Sequence, residues 1–283
     1  MKGENIINTK STLYLVATPI GNLKDFSSRG VEILNQVDIV LAESTKKTRI
    51  LFDKFNIKNK ISLFNDFSSK KKIDSLVKNI LSGQNIALVS DAGTPLISDP
   101  GSELIKAVLK ENIRVVPVPG PSSPISALVA SGLSTEKFSF HGFLPKKQGA
   151  LKSFLKEINL DSKTQIFFES PKRIKKTLLT FQQLIDHDRK IVIARELTKI
   201  YEEFYRGKIS DLKKIIDEVP EIEKGELVLL LEGSKDKFLI DTHLERILFN
   251  ELKPFLSLRQ ISKIISKISS KDSKEIYNIF KKK

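Results

Sequence analysis

Hydrophobic and polar positions follow two rhythms in the first half of the chain. Leu13–Val16, Ile39–Leu41, Ile86–Val89 and Val115–Val118 are short runs, leucine-rich or β-branched. Runs of that length and make-up predict buried strands. Between them Gly30–Gln36, Thr45–Phe55, Lys70–Leu81 and Ser102–Glu111 repeat apolar residues at helical spacing. In Lys70–Leu81, for example, Ile73, Leu76, Val77 and Ile80 fall on one face. Strand and helix in alternation predict an α/β fold built on a mostly parallel sheet with right-handed crossovers.

Breakers crowd Pro119–Pro124, and the rhythm changes after them. Phe138–Phe143, Thr164–Phe168, Lys190–Ala194, Glu202–Tyr205 and Glu226–Leu231 predict strands; Ser153–Ile158, Pro171–Ile185 and Ser210–Glu218 predict helices. This half reads as a mixed-sheet domain with an antiparallel member over Tyr201–Gly207. A polar linker, Ser234–Lys237, precedes a helix at His243–Glu251. Ser257 and Gln260 form a capping box ahead of an apolar stripe of Ile261, Ile264, Ile265 and Ile268. Asp272 and Glu275 start another helix, with Ile276, Ile279 and Phe280 behind them, and the chain closes on Lys281–Lys283. The expected organisation is an N-terminal α/β domain over 12–119, a C-terminal α/β domain over 120–233 and a basic helical tail over 240–283. No internal repeat is visible.

Composition narrows the function. At 283 residues, with 40% hydrophobic and 29% charged, the chain can bury a core without staples. The absence of cysteine excludes disulfides, thiolate metal sites and a cysteine nucleophile. No apolar run has transmembrane length, and Met1–Ser11 lacks the apolar segment of a signal peptide, so no membrane role and a cytoplasmic location are expected. The net charge of +14 suits a nucleic-acid partner. The 39 Lys against 9 Arg, with abundant Ile and Asn, would also follow from an AT-rich genome. The distribution is more telling. From Leu252 onward nine Lys and Arg face only Asp272 and Glu275, a net of +7, half of the whole excess.

Chemistry is expected at four loops, each leaving the C-terminal end of a predicted strand, where open α/β sheets bind ligands. They are Ala17-Thr18-Pro19-Ile20-Gly21-Asn22, Ala42-Glu43-Ser44-Thr45, Ser90-Asp91-Ala92-Gly93-Thr94-Pro95 and Pro117-Val118-Pro119-Gly120-Pro121-Ser122-Ser123. Glycine admits a ligand close to the backbone, and proline fixes a loop before binding. Each loop alone could be a tight turn and nothing more. There is no Gly-x-Gly-x-x-Gly or Walker pattern, which argues against nicotinamide dinucleotides and nucleoside triphosphates.

Leu15–Leu23, the fifteen-residue Ala87–Gly101 block and Pro117–Ser122 resemble the bacterial 16S rRNA cytidine 2′-O-ribose methyltransferases, a branch of the tetrapyrrole-methylase fold family. The resemblance runs on through Gly142–Pro145, Phe168–Pro171 with Arg173, Ala194–Lys199 and Gly225–Val228 into the helical tail, covering nearly the whole chain in order. It implies two α/β domains with S-adenosylmethionine in the cleft between them, no metal, and a homodimer. It also implies a substrate cytidine in the decoding region of 16S rRNA, within the small ribosomal subunit. The family's Ala-Glu-Asp-Thr-Arg-His-Thr reads Ala42-Glu43-Ser44-Thr45-Lys46-Lys47-Thr48 here, and its His-Glu-bearing stretch reads Leu63-Phe64-Asn65-Asp66-Phe67. If those positions grip RNA, this chain leans on its extra lysines instead.

Methyl transfer from a sulfonium is an in-line displacement that needs alignment, and a base in reach of the ribose hydroxyl helps. None of His141, His187 and His243 lies in the four loops, so a carboxylate, or a neutral lysine, is the expected base. The catalytic candidates are Glu43, Asp91 and Glu169. Glu43 could instead serve a helix N-terminus, and Asp91 could cap its own turn. Ser170 and Pro171 are expected as N-cap and first residue of a helix, which leaves Glu169 for the cleft. The donor-binding candidates are Thr18, Pro19, Gly21, Asn22, Asp91, Ala92, Gly93, Thr94, Pro95, Gly120, Pro121 and Ser122. The RNA candidates are Lys46, Lys146, Lys147, Arg195, Lys263 and Lys267, each with a solvated or structural alternative; Arg195 could simply pair with Glu196. Two rival functions remain. One is methylation of a tetrapyrrole carbon, whose enzymes carry Gly-x-Gly-x-Gly-Asp where this chain has Thr18-Pro19-Ile20-Gly21-Asn22. The other is a non-catalytic ribosome-assembly factor.

Overall fold

Two five-stranded sheets organise the chain in the computed structural model, which describes residues 11–234, 242–269 and 271–281. The first sheet contains β1 (Thr12–Val16), β2 (Ile39–Ala42), β3 (Ile61–Leu63), β4 (Ile86–Val89) and β5 (Arg114–Val118), in the order β3-β2-β4-β1-β5. All its pairings are parallel. The central strands β1, β2 and β4 are largely buried on both faces because successive residues meet different helices. Val40, Ala42, Ala87 and Val89 face Leu34 of α1 (Ser28–Gln36) and Phe52 of α2 (Thr45–Phe55). Leu41, Ile86 and Leu88 face Ile80 of α3 (Lys70–Leu81) and Leu104 of α4 (Ser102–Lys110).

Register decides where the site sits. Leu63, Ala42, Val89, Val16 and Val118 are partners in one continuous row across this sheet. The loops that follow them therefore leave from a single edge, as the four-loop expectation requires. β3 was not among the expected strands; three residues carry too little pattern to be seen.

The second sheet is mixed. It holds β6 (Phe138–Phe143), β7 (Thr164–Glu169), β8 (Lys190–Arg195), β9 (Glu203–Lys208) and β10 (Leu227–Leu231), in the order β6-β7-β10-β8-β9. Only β6 and β7 run parallel; β9 is the antiparallel member expected around Tyr201–Gly207. One face packs through Phe167, Ile193 and Leu229 on α6 (Gln148–Ile158), α7 (Ile174–Leu184) and α8 (Leu212–Glu218). The other face receives α5 (Ser123–Ser131), whose Ala127 and Leu128 meet Ile166, Val192, Val228 and Leu230. Ile20, from the loop after β1, joins that cluster and ties the first sheet to the second.

Several helix starts differ from the sequence reading: α6 begins at Gln148, five residues before the expected Ser153, α1 and α8 shift by two residues, and two further cases bear on the site. α5 lies in the breaker-rich segment, where Ser122 stands at the N-cap and Pro124 in the first turn, a position that tolerates proline. The residues read as a loop thus open a helix. α7 begins at Ile174, not at Pro171. The chain first makes a turn, with Arg173 N–H donating to Ser170 C=O at 2.9 Å, so Ser170 is not the N-cap.

α9 (Thr242–Leu252), α10 (Leu258–Ile265) and α11 (Ser273–Lys281) pack around Phe249, Ile261, Ile265, Ile276 and Phe280. The Ser257–Gln260 capping box forms, and Asp272 and Glu275 exchange equivalent bonds ahead of α11. Most of the expected linker and Lys282–Lys283 lie outside the described residues. Among the described residues no helix is long and apolar enough to cross a membrane.

Candidate active site

The loops after β1, β4 and β5 interlock. Thr18 and Gly93 form an isolated antiparallel bridge, with N–H to C=O distances of 2.9 and 3.0 Å. Thr18 Oγ1 donates to Ser90 C=O at 3.2 Å, and Thr94 Oγ1 to Pro121 C=O at 3.1 Å. Gly120 lies flat on Ala17: a Cβ there would stand 2.9 Å from the Ala17 Cβ, so no other residue fits without displacing the β1 loop. Gly93 has φ +85° with Ile20 Cγ2 only 3.2 Å from where its Cβ would be. The rim is therefore preformed, which reduces the ordering cost of binding.

A cleft of about 400 Å³ opens between this rim and the second sheet. Ala92, Gly93, Thr94, Ile97, Ser98, Asp99 and Ser122 line one side; Phe143, Phe168, Glu169, Leu197 and Gly225–Val228 line the other. Its size and mainly apolar lining suit a nucleoside-sized ligand. Leu96 and Ser98 take positive φ (75° and 68°), as do Glu196 (50°) and Thr198 (65°) across the cleft. Non-glycine residues held there mark a backbone shaped for something other than stability.

Carboxylates gather at the strand edge. Asp91 Oδ2 pairs with Lys47 Nζ at 2.8 Å, while its Oδ1 is buried without a partner. Glu43 is pushed above its ordinary pKa by burial and by Asp91, although the Asp91 N–H bonds it. Asp99 is pushed up to about 6, first by burial, against a hydrogen bond from Ser90, and further by Glu43, Asp91 and Asp66. These charges come from three different loops, so only folding brings them together.

Glu169 is built differently. It is 2% exposed and accepts from Ser170 N–H at 2.6 Å, Thr177 Oγ1 at 2.6 Å and Arg173 at 3.2 Å. Arg173 in turn donates to the carbonyls of Leu144 and Pro145.

The expected residues divide accordingly. Ala92, Gly93, Thr94, Ser122 and Glu169 line the cleft. Thr18, Pro19 and Asp91 border a smaller depression of about 120 Å³ with Lys47. Pro95 is buried beneath the rim, and Gly120 and Pro121 support it. Gly21 and Asn22 are not in the cleft. They press on the loop after β8, where a Gly21 Cβ would come within 2.5 Å of Lys199 and Asn22 N–H donates to Thr198 Oγ1 at 3.0 Å. Lys46, Lys146, Lys147, Lys263 and Lys267 are exposed. Arg195 is not: it is 7% exposed and donates to the carbonyls of Lys224 and Tyr201, which corrects the expectation of an RNA contact. Asp99, Ser98 and Lys47 were not singled out from sequence. Asp99 lay inside a quoted motif, but nothing in one dimension marks its burial.

The profile of the Tetrapyrrole (Corrin/Porphyrin) Methylases matches residues 12–213. The chain belongs to the tetrapyrrole methylases. The match extends beyond the shared domain. The protein named ribosomal RNA small subunit methyltransferase I of Streptococcus pyogenes serotype M6 is 41% identical over 96% of this chain and 95% of its own length. Its namesakes in Buchnera aphidicola and Haemophilus influenzae are 39% identical over 96% and 44% identical over 78% of this chain. Among solved structures, the methyltransferase CobJ superposes with a TM-score of 0.58 at 14% identity, covering 79% of this chain and 95% of its own. A cobalt precorrin-4 methyltransferase gives 0.57 at 18%, covering 77% and 94%. Those two establish the shared fold.

Membership makes this methylase an S-adenosylmethionine-dependent enzyme, and the cleft fits that donor. Ile97, Leu197 and Val228 give the cleft apolar walls, Gly93 keeps the rim free of a side chain, and Asp91, at the adjoining depression, has a buried Oδ1 without a partner. Among the described residues no group of three or more His, Asp or Glu could hold a metal.

Proposed function

We propose that this methylase transfers a methyl group to the ribose 2′-hydroxyl of a cytidine in the decoding region of 16S rRNA. It acts on the small ribosomal subunit, as a homodimer in the cytoplasm. The observation that carries the reading is the junction of a preformed, nucleoside-sized cleft with an under-partnered carboxylate cluster at one strand edge. Relatives at 39–44% identity, named ribosomal RNA small subunit methyltransferase I, support rRNA as substrate. The exposed Lys46, Lys146, Lys147, Lys263 and Lys267 supply phosphate contacts that position the strand without reading sequence.

Bound S-adenosylmethionine supplies an electrophilic methyl group. The chain's task is to align the ribose oxygen with it and take up the proton released as the oxygen–carbon bond forms. Glu43 and Asp99 suit proton acceptance, because burial has already made their protonated forms accessible. Asp91, paired with Lys47 at 2.8 Å, orients the donor. Glu169 anchors Arg173 and so fixes the opposite wall.

The deciding assay incubates the protein with labelled S-adenosylmethionine and small subunits lacking the modification, with a tetrapyrrole precursor in parallel. Label on one ribose, protecting one bond from alkaline cleavage, is the expected result. Label only in the tetrapyrrole would replace the substrate and keep the fold and donor. Donor binding without transfer to either would favour an assembly factor.

A further inference from the structure

The strand edge carries a large, almost fully exposed hydrophobic side chain that the active site does not use. Phe67 is 93% exposed. Its loop leaves the same row of strand ends as the Glu43 loop, with Phe64 N–H bonded to Ala42 C=O at 2.7 Å. The loop is fixed. Phe67 N–H donates to Asn65 Oδ1 at 3.1 Å, Asn65 N–H to Ser68 Oγ at 3.0 Å, and Ser68 N–H to Asn65 C=O at 2.9 Å. Lys72 Nζ also holds Leu63 C=O. A pinned turn thus projects the ring into solvent beside the carboxylate cluster, where burial of apolar surface would favour hiding it.

Its surroundings indicate what covers it. Lys70 and Lys71 are exposed in the first turn of α3, where the helix dipole disfavours cations. Lys46 is exposed in the first turn of α2, which follows the neighbouring strand. Asp66 is the acid beside the ring, and its field reaches Glu43 and Asp99. A protein-facing aromatic would be expected among apolar and uncharged neighbours, since interface cores are depleted in lysine. An exposed aromatic ring with exposed lysines on the helix after its own loop and on the helix after the neighbouring strand matches a single nucleic-acid strand, whose bases offer π faces and whose phosphates take the cations.

We propose that Phe67 is a stacking platform for an unpaired base next to the methylated ribose, with Lys46, Lys70 and Lys71 on the flanking phosphates. This rests on the rRNA reading above. Stacking there splays the strand and presents the ribose to the carboxylates, so Phe67 is a positioning residue.

The chain has no tryptophan, so F67W places a single fluorophore on the platform. A single-stranded RNA oligonucleotide of the substrate sequence should quench it saturably, while heparin, which offers charge without bases, should not. F67A should raise KM for small subunits by about tenfold, from the loss of one stacked base, with donor affinity and Tm unchanged and with F67Y restoring it. Wild-type KM for F67A and unquenched F67W, in an enzyme that still methylates rRNA, overturn the platform and leave the rRNA reading intact. Quenching by heparin as well, or emission that shifts with protein concentration without RNA, overturns it in favour of a general conformational effect or a second copy of the chain. Failure of the wild-type protein to bind or methylate rRNA removes both.

Discussion

Glu169 on one wall of the cleft is fully buried and Asp99 on the other is half-buried, and they are held in opposite ways. Glu169 sits at the end of β7 with three donors on its carboxylate, all from the turn and helix that follow. Asp99 lies between the rim and α4 with Ser90 as its donor and with Glu43, Asp91 and Asp66 adding negative charge around it. Glu169 has its hydrogen-bonding capacity met by protein donors, whereas at Asp99 burial and neighbouring acids outweigh the one donor. The second sheet thus offers a strut and the first sheet a group poised to titrate.

The contrast can be tested most forcefully by E169A. That change leaves Arg173 and Thr177 facing a void, and breaking a buried pair of this kind costs about 3 kcal/mol. Thermal unfolding should record it, with E169Q falling between mutant and wild type. A Tm unchanged in E169A would mean that Glu169 is no strut. Next in size is G21A, which probes the seam between the walls. The added methyl meets Lys199 Cγ and Leu197 C=O, so the walls must part, and affinity for S-adenosylmethionine should drop about tenfold, equivalent to about 1.4 kcal/mol. Calorimetric titration reads this directly, and unaltered affinity would show the seam to be compliant.

A pH series sharpens the other half. Asp99 binds its proton more tightly folded than unfolded, its pKa rising from 3.8 to about 6. Its contribution to stability is therefore full below about pH 4 and is lost as pH rises through about 6. D99N should be more stable than wild type at pH 8, with the gain vanishing at pH 4. Equal gains at both pH values would mean that removing the charge is not what matters. The smallest effect is expected in the tail. K263Q with K267Q should weaken small-subunit binding a few-fold and flatten its dependence on salt by up to about two counterions, leaving the stability of both sheets unchanged.

Much of this was legible in sequence because the first sheet is regular. Its central strands are buried on both sides, so unbroken apolar runs marked them, and breakers marked the loops between. β3 and α5 escaped for different reasons: three residues are too few to show a rhythm, and Ser-Pro breakers concealed a helix that is apolar nearly all round and so shows no one-sided stripe. The site divides in the same way. Gly93 and Thr94 stood out as loop chemistry. Asp99 did not, because its character depends on carboxylates 8, 33 and 56 positions away at Asp91, Asp66 and Glu43. Arg195 was misread because basic residues are normally exposed, and only the fold turns this one inward to bind loop carbonyls.

The bridge between Thr18 and Gly93 has a kinetic meaning. It joins residues 75 positions apart, and its two amide hydrogens are both consumed by it. Neither loop can complete the rim until β1 and β4 have paired, so the donor site has no local precursor that could assemble early from one segment. In the native protein, by the same logic, the rim opens only when that long-range pairing yields. Amide exchange at Thr18 and Gly93 would then report the rarity of donor-site opening, one residue on each side of the same latch.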